Sequence, residues 1–424
     1  KSKPLPPIIG ITMLQIKYQT LIFQLLCAYV FLIPFEHILE IFYGIDTVLK
    51  PYRIFALAII GVYAIRLIGG GPTTISKDIK IDFFLYLLLL YGIVITMLQV
   101  FLNHFETRHF YNDSFQTFLY VSVFFIIKNT ELSYEQIRRL LWFFTIGIAL
   151  NALYLFNNFY LLQDYRRQSG FMDNPNYVAI SLVIAIAFVF LQIGSFRRWS
   201  GRILAILGLF FLLLMLVIAG SRTGFIISIL LGSILFFYAS WSKKMVLLSG
   251  VVLLLLLSSG RSGLLNSAAP LILFERLERI DSTEDTRFPL WRGAFKAVLS
   301  SNFMGLGIGQ FKTRFREFYL TANEKTIYEN VNRGAHLSPH SDYVAITVTY
   351  GLFGLICYFL FLFFSFKSML QKLRMVGTPK AHLHLQFCLM VLVALAIFGV
   401  TSENFTSAIY WTSLAISTKT ITQL

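Results

Sequence analysis

Long apolar runs separated by short polar connections dominate the chain. Runs able to form membrane-length helices fall at 18–40, 52–68, 82–102, 115–128, 139–162, 176–194, 202–220, 222–240, 244–259, 341–367, 383–401 and 404–418. A helix needs about 20 apolar residues to cross the hydrocarbon of a bilayer, so the pattern predicts about twelve transmembrane helices. The runs 115–128 and 244–259 are short for a full crossing, and 18–40 carries Pro34; these are the weakest spans. The first run has no small-residue cleavage site after it and is read as a retained span. One polar stretch stands apart. It divides the chain into helices 1–9 over 1–259, a large loop domain over 260–340, and the last three helices over 341–424.

Composition agrees with this pattern. Hydrophobic residues make up 57% of the chain and charged residues only 13%, with a mean hydropathy of +0.70, far more apolar surface than a soluble chain can hide. The fold class is therefore all-α, a polytopic membrane protein. The net charge of +15 is unevenly placed. With the N-terminus inside, the inner connections hold most of the lysines and arginines of the short loops, for example Lys77 and Lys80, Arg197, Arg198 and Arg202, and Lys367, Lys372 and Arg374. The positive-inside rule then puts both termini in the cytoplasm and the 260–340 segment outside. No nucleic-acid partner is expected; the membrane lipids are. Cys27, Cys357 and Cys388 sit in apolar runs without metal-ligand spacing and read as small hydrophobes.

The candidate chemistry gathers at the outer ends of the spans. In GAHLSPHSDYV (334–344), Ser338 is a plausible N-cap, Pro339 fits the first helical position and Asp342 the first turn. That places His340 in the first turn of a helix, on a face with Val344, Thr347, Gly351 and Gly354, where the two glycines allow close helix approach. A helix N-terminus disfavours imidazolium, which suits His340 to accept a proton. His336 lies just before it. The pair is a weak zinc motif, lacking the glutamate of H-E-x-x-H, and the plainer reading is interfacial hydrogen bonding.

Arginines recur on the same side: Arg222 in SRTG, Arg166 and Arg167 in RRQSGFMDNPN, and Arg287 and Arg292 in RFPLWRG. Guanidinium forks match phosphate oxygens. A snorkelling side chain on lipid phosphate is the alternative for Arg222, but its setting between Ser221 and Thr223-Gly224, where the backbone can turn closely, favours a site. Asn174 or Asn176 is placed to cap a helix, and such amides also bind sugar hydroxyls. Glu403, between the last two spans, is positioned to pair with an arginine or assist the histidine. Tyr165, Tyr177, Trp291 and Trp411 read as interface anchors. The chain has no phosphate-binding G-x-x-x-x-G-K-[ST] loop and no paired acidic clusters, so neither nucleotide nor metal cofactor is expected. An activated, lipid-linked diphosphate would supply its own energy.

His340-Ser341 followed by Gly351 and Gly354, SRTG at 221–224, R-x-x-x-W-R-x-A at 287–294 before GLGIGQF, and R-x-x-G-x-x-x-N-P-N at 167–176 together resemble the signatures of bacterial O-antigen ligases. The superfamily also contains O-antigen polymerases and protein O-oligosaccharyltransferases. The resemblance implies a C-type glycosyltransferase of the inner membrane that moves O-antigen glycan from undecaprenyl diphosphate to a sugar of lipid A-core, completing lipopolysaccharide at the periplasmic face. It implies His340 as the catalytic base, with Arg222 and Arg287 on the diphosphate. Arg166, Arg167, Arg292, His336, Asn176 and Glu403 remain as substrate-binding candidates, and His336 leaves open which histidine is the base. A polymerase or a protein ligase would use the same donor. A lipid-linked glycan flippase would instead need polar residues along a path through the spans.

Overall fold

The computed structural model describes residues 9–44, 50–69, 78–102, 104–107, 109–162, 169–238, 241–258, 287–319 and 338–419. Every regular element among them is helical. In chain order they are α1 (Ile9–Leu32), α2 (Ile38–Tyr43), α3 (Pro51–Ile68), α4 (Ile79–Phe101), α5 (Phe110–Asn129), α6 (Tyr134–Phe156), α7 (Pro175–Gln192), α8 (Trp199–Ile218), α9 (Arg222–Tyr238), α10 (Trp241–Ser258), α11 (Arg287–Ser300), α12 (Gln310–Tyr319), α13 (Asp342–Met375), α14 (Pro379–Thr401) and α15 (Ala408–Thr418).

A helix lies over each apolar run, but the described residues hold eight helices long and apolar enough to cross a membrane, with Arg222–Phe237 a shorter apolar one. The described residues therefore do not establish the count of twelve spans. Three runs depart locally from a simple span. Pro34 lacks an amide hydrogen, and α1 stops at Leu32 before a 3-10 turn over Ile33–Phe35, although Tyr18–Phe35 is still one of the eight. The 115–128 run proves to be the apolar part of a longer helix whose first turns are polar, with Asn112, Asp113 and Gln116. α15 has only 11 residues, about 16 Å of helix, too short to span a bilayer. At the other extreme α13 has 34 residues.

α7 is the centre of the bundle: 83% of its membrane-length window is buried, and it packs against α6, α8, α9 and α14. α13 lies along α4 and α14, α1 along α3 and α6, and α15 along α5. Large apolar side chains on the outward faces, among them Phe83, Leu90, Met97, Leu204 and Phe237, are exposed, as in a bundle whose surroundings are hydrocarbon. Cys27, Cys357 and Cys388 are buried free thiols, consistent with their apolar setting. At the end of the bundle opposite the cavity described below, ion pairs link Lys128 to Asp82 and, at 2.9 Å, Lys372 to Asp78. Lys419 Nζ donates to the Ile127 carbonyl at 2.7 Å.

α13 is broken at Gly351, whose backbone is left-handed (φ 66°). Gly351 was expected to let a helix approach; what approaches is the GLGIG segment between α11 and α12. The break frees groups of the helical ladder, and the segment satisfies them. Leu352 N–H donates to Phe303 O at 3.0 Å, while Val348 O accepts Leu306 N–H at 2.8 Å and Thr349 O accepts Gly307 N–H at 3.0 Å. Non-helical backbone beside a membrane helix requires such internal partners. Gly305, also left-handed (φ 91°), is needed because a Cβ there would lie 2.5 Å from Gly351 N. This docking fixes where α12 begins.

Candidate functional site

The turn after α1, the starts of α3, α5, α7 and α13, and the loop between α14 and α15 converge at one end of the bundle. α12 completes the enclosure of a polar cavity of about 410 Å³ lined by residues from all of them. His340 and Glu403 line it together, though the sequence carries them on separate connections.

His340 does not lie within a helix turn. Ser341 is the N-cap and Asp342 the first residue of α13, so neither Ser338 as cap nor Pro339 as first helical residue holds. The cause is Asp342. It is fully buried, and its carboxylate accepts the backbone N–H groups of Asn404 at 2.5 Å and Phe405 at 2.7 Å, and the Asn404 amide at 3.3 Å. This anchors the helix start to the α14–α15 loop. Just before it, His340 takes a left-handed backbone (φ 52°), uncommon for a residue other than glycine. The chain turns there, and His340 lines the cavity instead of sharing a stripe with Val344 and Thr347.

The segment is held on both sides. Trp291 Nε1 of α11 donates to Pro339 O at 2.8 Å, and His340 N–H donates to Ser338 Oγ at 3.3 Å. Ser338 Oγ donates in turn to Glu403 Oε2. Glu403 Oε1 lies 3.7 Å from Lys312 Nζ of α12, and Lys312 lies 3.1 Å from Asp113 Oδ2 of α5. Glu403 thus pairs with a lysine, and reaches the histidine segment through Ser338. Tyr177 also lines the cavity and donates to Glu403 O at 2.7 Å; it is not merely an interface anchor.

Burial pulls the Lys312 pKa down, but the carboxylates of Glu403 and Asp113 outweigh it and leave the ammonium above its ordinary value. Burial raises the Asp113 carboxyl, partly offset by Lys312. The neighbouring wall comes from α3, α5 and the turn after α1. Tyr52 OH donates to Glu36 Oε1 at 3.2 Å and shares a 2.7 Å hydrogen bond with Tyr120 OH; Arg53 Nε donates to Tyr52 OH at 3.3 Å, with Nη2 3.8 Å from Glu36 Oε1. Burial raises the Glu36 carboxyl as well.

The other residues expected at the site are distributed as follows. Arg222 is half-buried at the start of α9 and is not among the cavity-lining residues. Its neighbours fix that turn: Thr223 Oγ1 meets Thr401 Oγ1 at 2.6 Å, and Ser221 Oγ donates to Asn176 Oδ1 at 3.2 Å. Asn176 is buried in that contact, whereas Asn174 caps α7 by accepting Asn176 N–H at 2.8 Å and itself lines the cavity. Arg292 is exposed on α11, beside Trp291. Arg287 opens α11, and its side chain lies outside the described residues, as do Arg166, Arg167, His336 and Tyr165. Trp411, expected at the interface, is fully buried, with Nε1 donating to Phe405 O at 2.6 Å; it packs beneath the loop that Asp342 holds.

Lys312, Asp113, Arg53 and Glu36 escaped the sequence reading. Their only signal was charge at the margin of an apolar run, which in a membrane chain marks either a snorkelling side chain or a lined cavity.

What the arrangement offers is a histidine beside a lysine–carboxylate pair in a polar cavity at one end of a membrane bundle. No curated protein matches the chain. Residues 207–359, which run from α8 through the GLGIG segment and His340 into α13, match the model of the O-antigen ligase family, consistent with the chain being a member of the O-antigen ligase/polymerase superfamily.

Proposed function

We propose that the protein is a glycosyltransferase that moves an O-antigen glycan from undecaprenyl diphosphate to a sugar of lipid A-core at the periplasmic face of the inner membrane. The observation that carries this reading is the position of His340: it lines a polar cavity large enough for sugar, at the end of the bundle where the short connections poor in lysine and arginine gather together with the long 260–340 segment.

In this reading the acceptor hydroxyl attacks the anomeric carbon of the donor sugar. The new C–O bond forms as the bond to the diphosphate oxygen breaks, and the diphosphate leaves with the electron pair. His340 takes the hydroxyl proton. A single displacement inverts the anomeric carbon. Arg222 and Arg287, helped by Arg166, Arg167 and Arg292, carry the charge that grows on the leaving group. Lys312 holds Glu403, and Glu403 holds Ser338, so the segment bearing His340 is fixed without being part of a helix.

The test gives the purified full chain in detergent an undecaprenyl-diphosphate-linked glycan together with lipid A-core, and in parallel a second lipid-linked glycan or an acceptor protein. Glycan attached to lipid A-core is the expected product. Elongated lipid-linked glycan or glycosylated protein as the sole product overturns the acceptor assignment, and no product of any kind overturns the reaction.

A further inference from the structure

The cavity, at about 410 Å³, is larger than a proton transfer needs, and its wall on α3 and α5 has a chemistry of its own. Asn112, Gln116 and Tyr120 follow one another at intervals of four along α5, all facing the cavity. Tyr120 is tied to Tyr52, Arg53 and Glu36 by the hydrogen bonds already described, so the wall is cross-linked. Tyr52, Arg53 and Tyr120 are each buried. At its front Gln116 Nε2 donates to Asn112 Oδ1 at 3.1 Å. That contact uses one donor and one acceptor; among the described residues the Gln116 carbonyl and the rest of the Asn112 amide make no further hydrogen bond, and both residues line the cavity. An acceptor beside a donor is what a sugar hydroxyl, which both gives and takes a hydrogen bond, requires.

Charge narrows the ligand. The lining contains the carboxylates of Glu36, Asp113, Asp173 and Glu403, and its two cations, Arg53 and Lys312, already face carboxylates of the same cavity. Carboxylates accept hydrogen bonds from neutral hydroxyls and repel an added anion. A uronic acid or phosphorylated sugar would have to displace one of them from its partner.

We infer that the wall formed by Asn112, Gln116, Tyr120 and Arg53 is a subsite for an uncharged sugar ring, adjoining the place where the glycosidic bond is made. This deepens the reading given above and rests on it. The ring belongs to either the donor glycan or the acceptor oligosaccharide, since sugar hydroxyls of either offer the same hydrogen-bonding chemistry.

Binding is measured on the full chain in detergent, carrying His340→Ala so that no transfer intervenes. One arm titrates glycan released from its lipid carrier, the other dephosphorylated core oligosaccharide, each in a neutral form and a form with one hexose replaced by a hexuronic acid. Saturation in one arm assigns the ring to that substrate. Asn112→Ala and Gln116→Ala should each weaken it by roughly three- to tenfold, with thermal unfolding unchanged because Asn112 is exposed and Gln116 half-buried. The hexuronic form should bind more weakly than the neutral one. Wild-type affinity in both variants, equal affinity for the charged form, or no saturation in either arm overturns the subsite. The transferase reading is tested separately, by the effect of His340→Ala on transfer, and survives any of these outcomes.

Discussion

Lys312 of α12 stands 3.1 Å from Asp113 of α5, a pairing across 199 residues of chain, and 3.7 Å from Glu403. One ammonium thus joins the segment between α10 and α13 to both the first turn of α5 and the loop that holds Ser338. Replacing it by methionine keeps the aliphatic stem and strands two carboxylates. The loss of stability should approach the lower end of the ~3–5 kcal/mol seen when one partner of a buried pair is removed. Because the folded pKa of Lys312 is raised above its ordinary 10.5, the wild-type contribution is whole at neutral pH and is lost only as pH rises through that higher value. Asp113 works in the opposite sense. Its raised pKa means the folded state binds the proton more tightly, so its ionisation costs stability that acidification restores. The gap in melting temperature between Lys312→Met and wild type should therefore narrow from pH 7 to pH 5; a gap constant over that range refutes the account.

His340→Ala should lower the transfer rate by about 10²–10⁴-fold, the usual worth of a general base, and leave the affinity for lipid-linked donor unchanged. Its backbone sets a second expectation. At φ 52° alanine pays a strain that glycine does not, so His340→Gly should be the more stable of the two variants while equally inactive. Transfer at the wild-type rate in either variant removes His340 from the mechanism.

Arg222→Ala should act on donor binding. Loss of a charge-assisted hydrogen bond to phosphate corresponds to about 1.5–3 kcal/mol, read as a tenfold or greater rise in the donor dissociation constant, with acceptor affinity unaltered. Arg222→Lys should restore only part of it, since a point charge does not reproduce a planar fork. Donor affinity equal to wild type in the alanine variant excludes the contact.

Gly351→Ala tests the break in α13. A Cβ there would lie 2.3 Å from Phe303 O, in a backbone region that already disfavours side chains. The cost should exceed the ~1–3 kcal/mol of the strain alone, since the GLGIG segment has to move. Gly61→Ala is the control, because nothing lies within 4 Å of a Cβ at that position. Thermal unfolding should separate the two clearly; equal melting temperatures show that the segment does not depend on the break.

Much of the architecture was legible in the chain. Apolar runs located the long helices of the bundle but not α11 or α12, because a bilayer demands a continuous stretch of apolar side chains with its hydrogen bonds satisfied internally and a helix outside it does not. The runs did not report which helices are long enough to cross. α5 gains its first turns from polar residues that face a cavity, and α15 is a buried half-length helix whose hydropathy resembles that of a span. Burial inside protein and burial in lipid select the same side chains, so sequence periodicity cannot distinguish them.

The sequence by itself determined that this is a helical membrane protein with histidine, arginines and a carboxylate at one set of helix ends, since residue type and spacing carry that information locally. Only the tertiary structure decided which of them meet. Asp342 looked like a dipole partner in a first turn and is the buried anchor of Asn404 and Phe405; Gly351 looked like a packing glycine and is a break in the helix filled by Phe303–Gly307. Lys312, unremarked in the sequence, joins α5 to the histidine loop. These contacts join residues far apart in the chain, and their partners are set by how the helices pack, which no local pattern records.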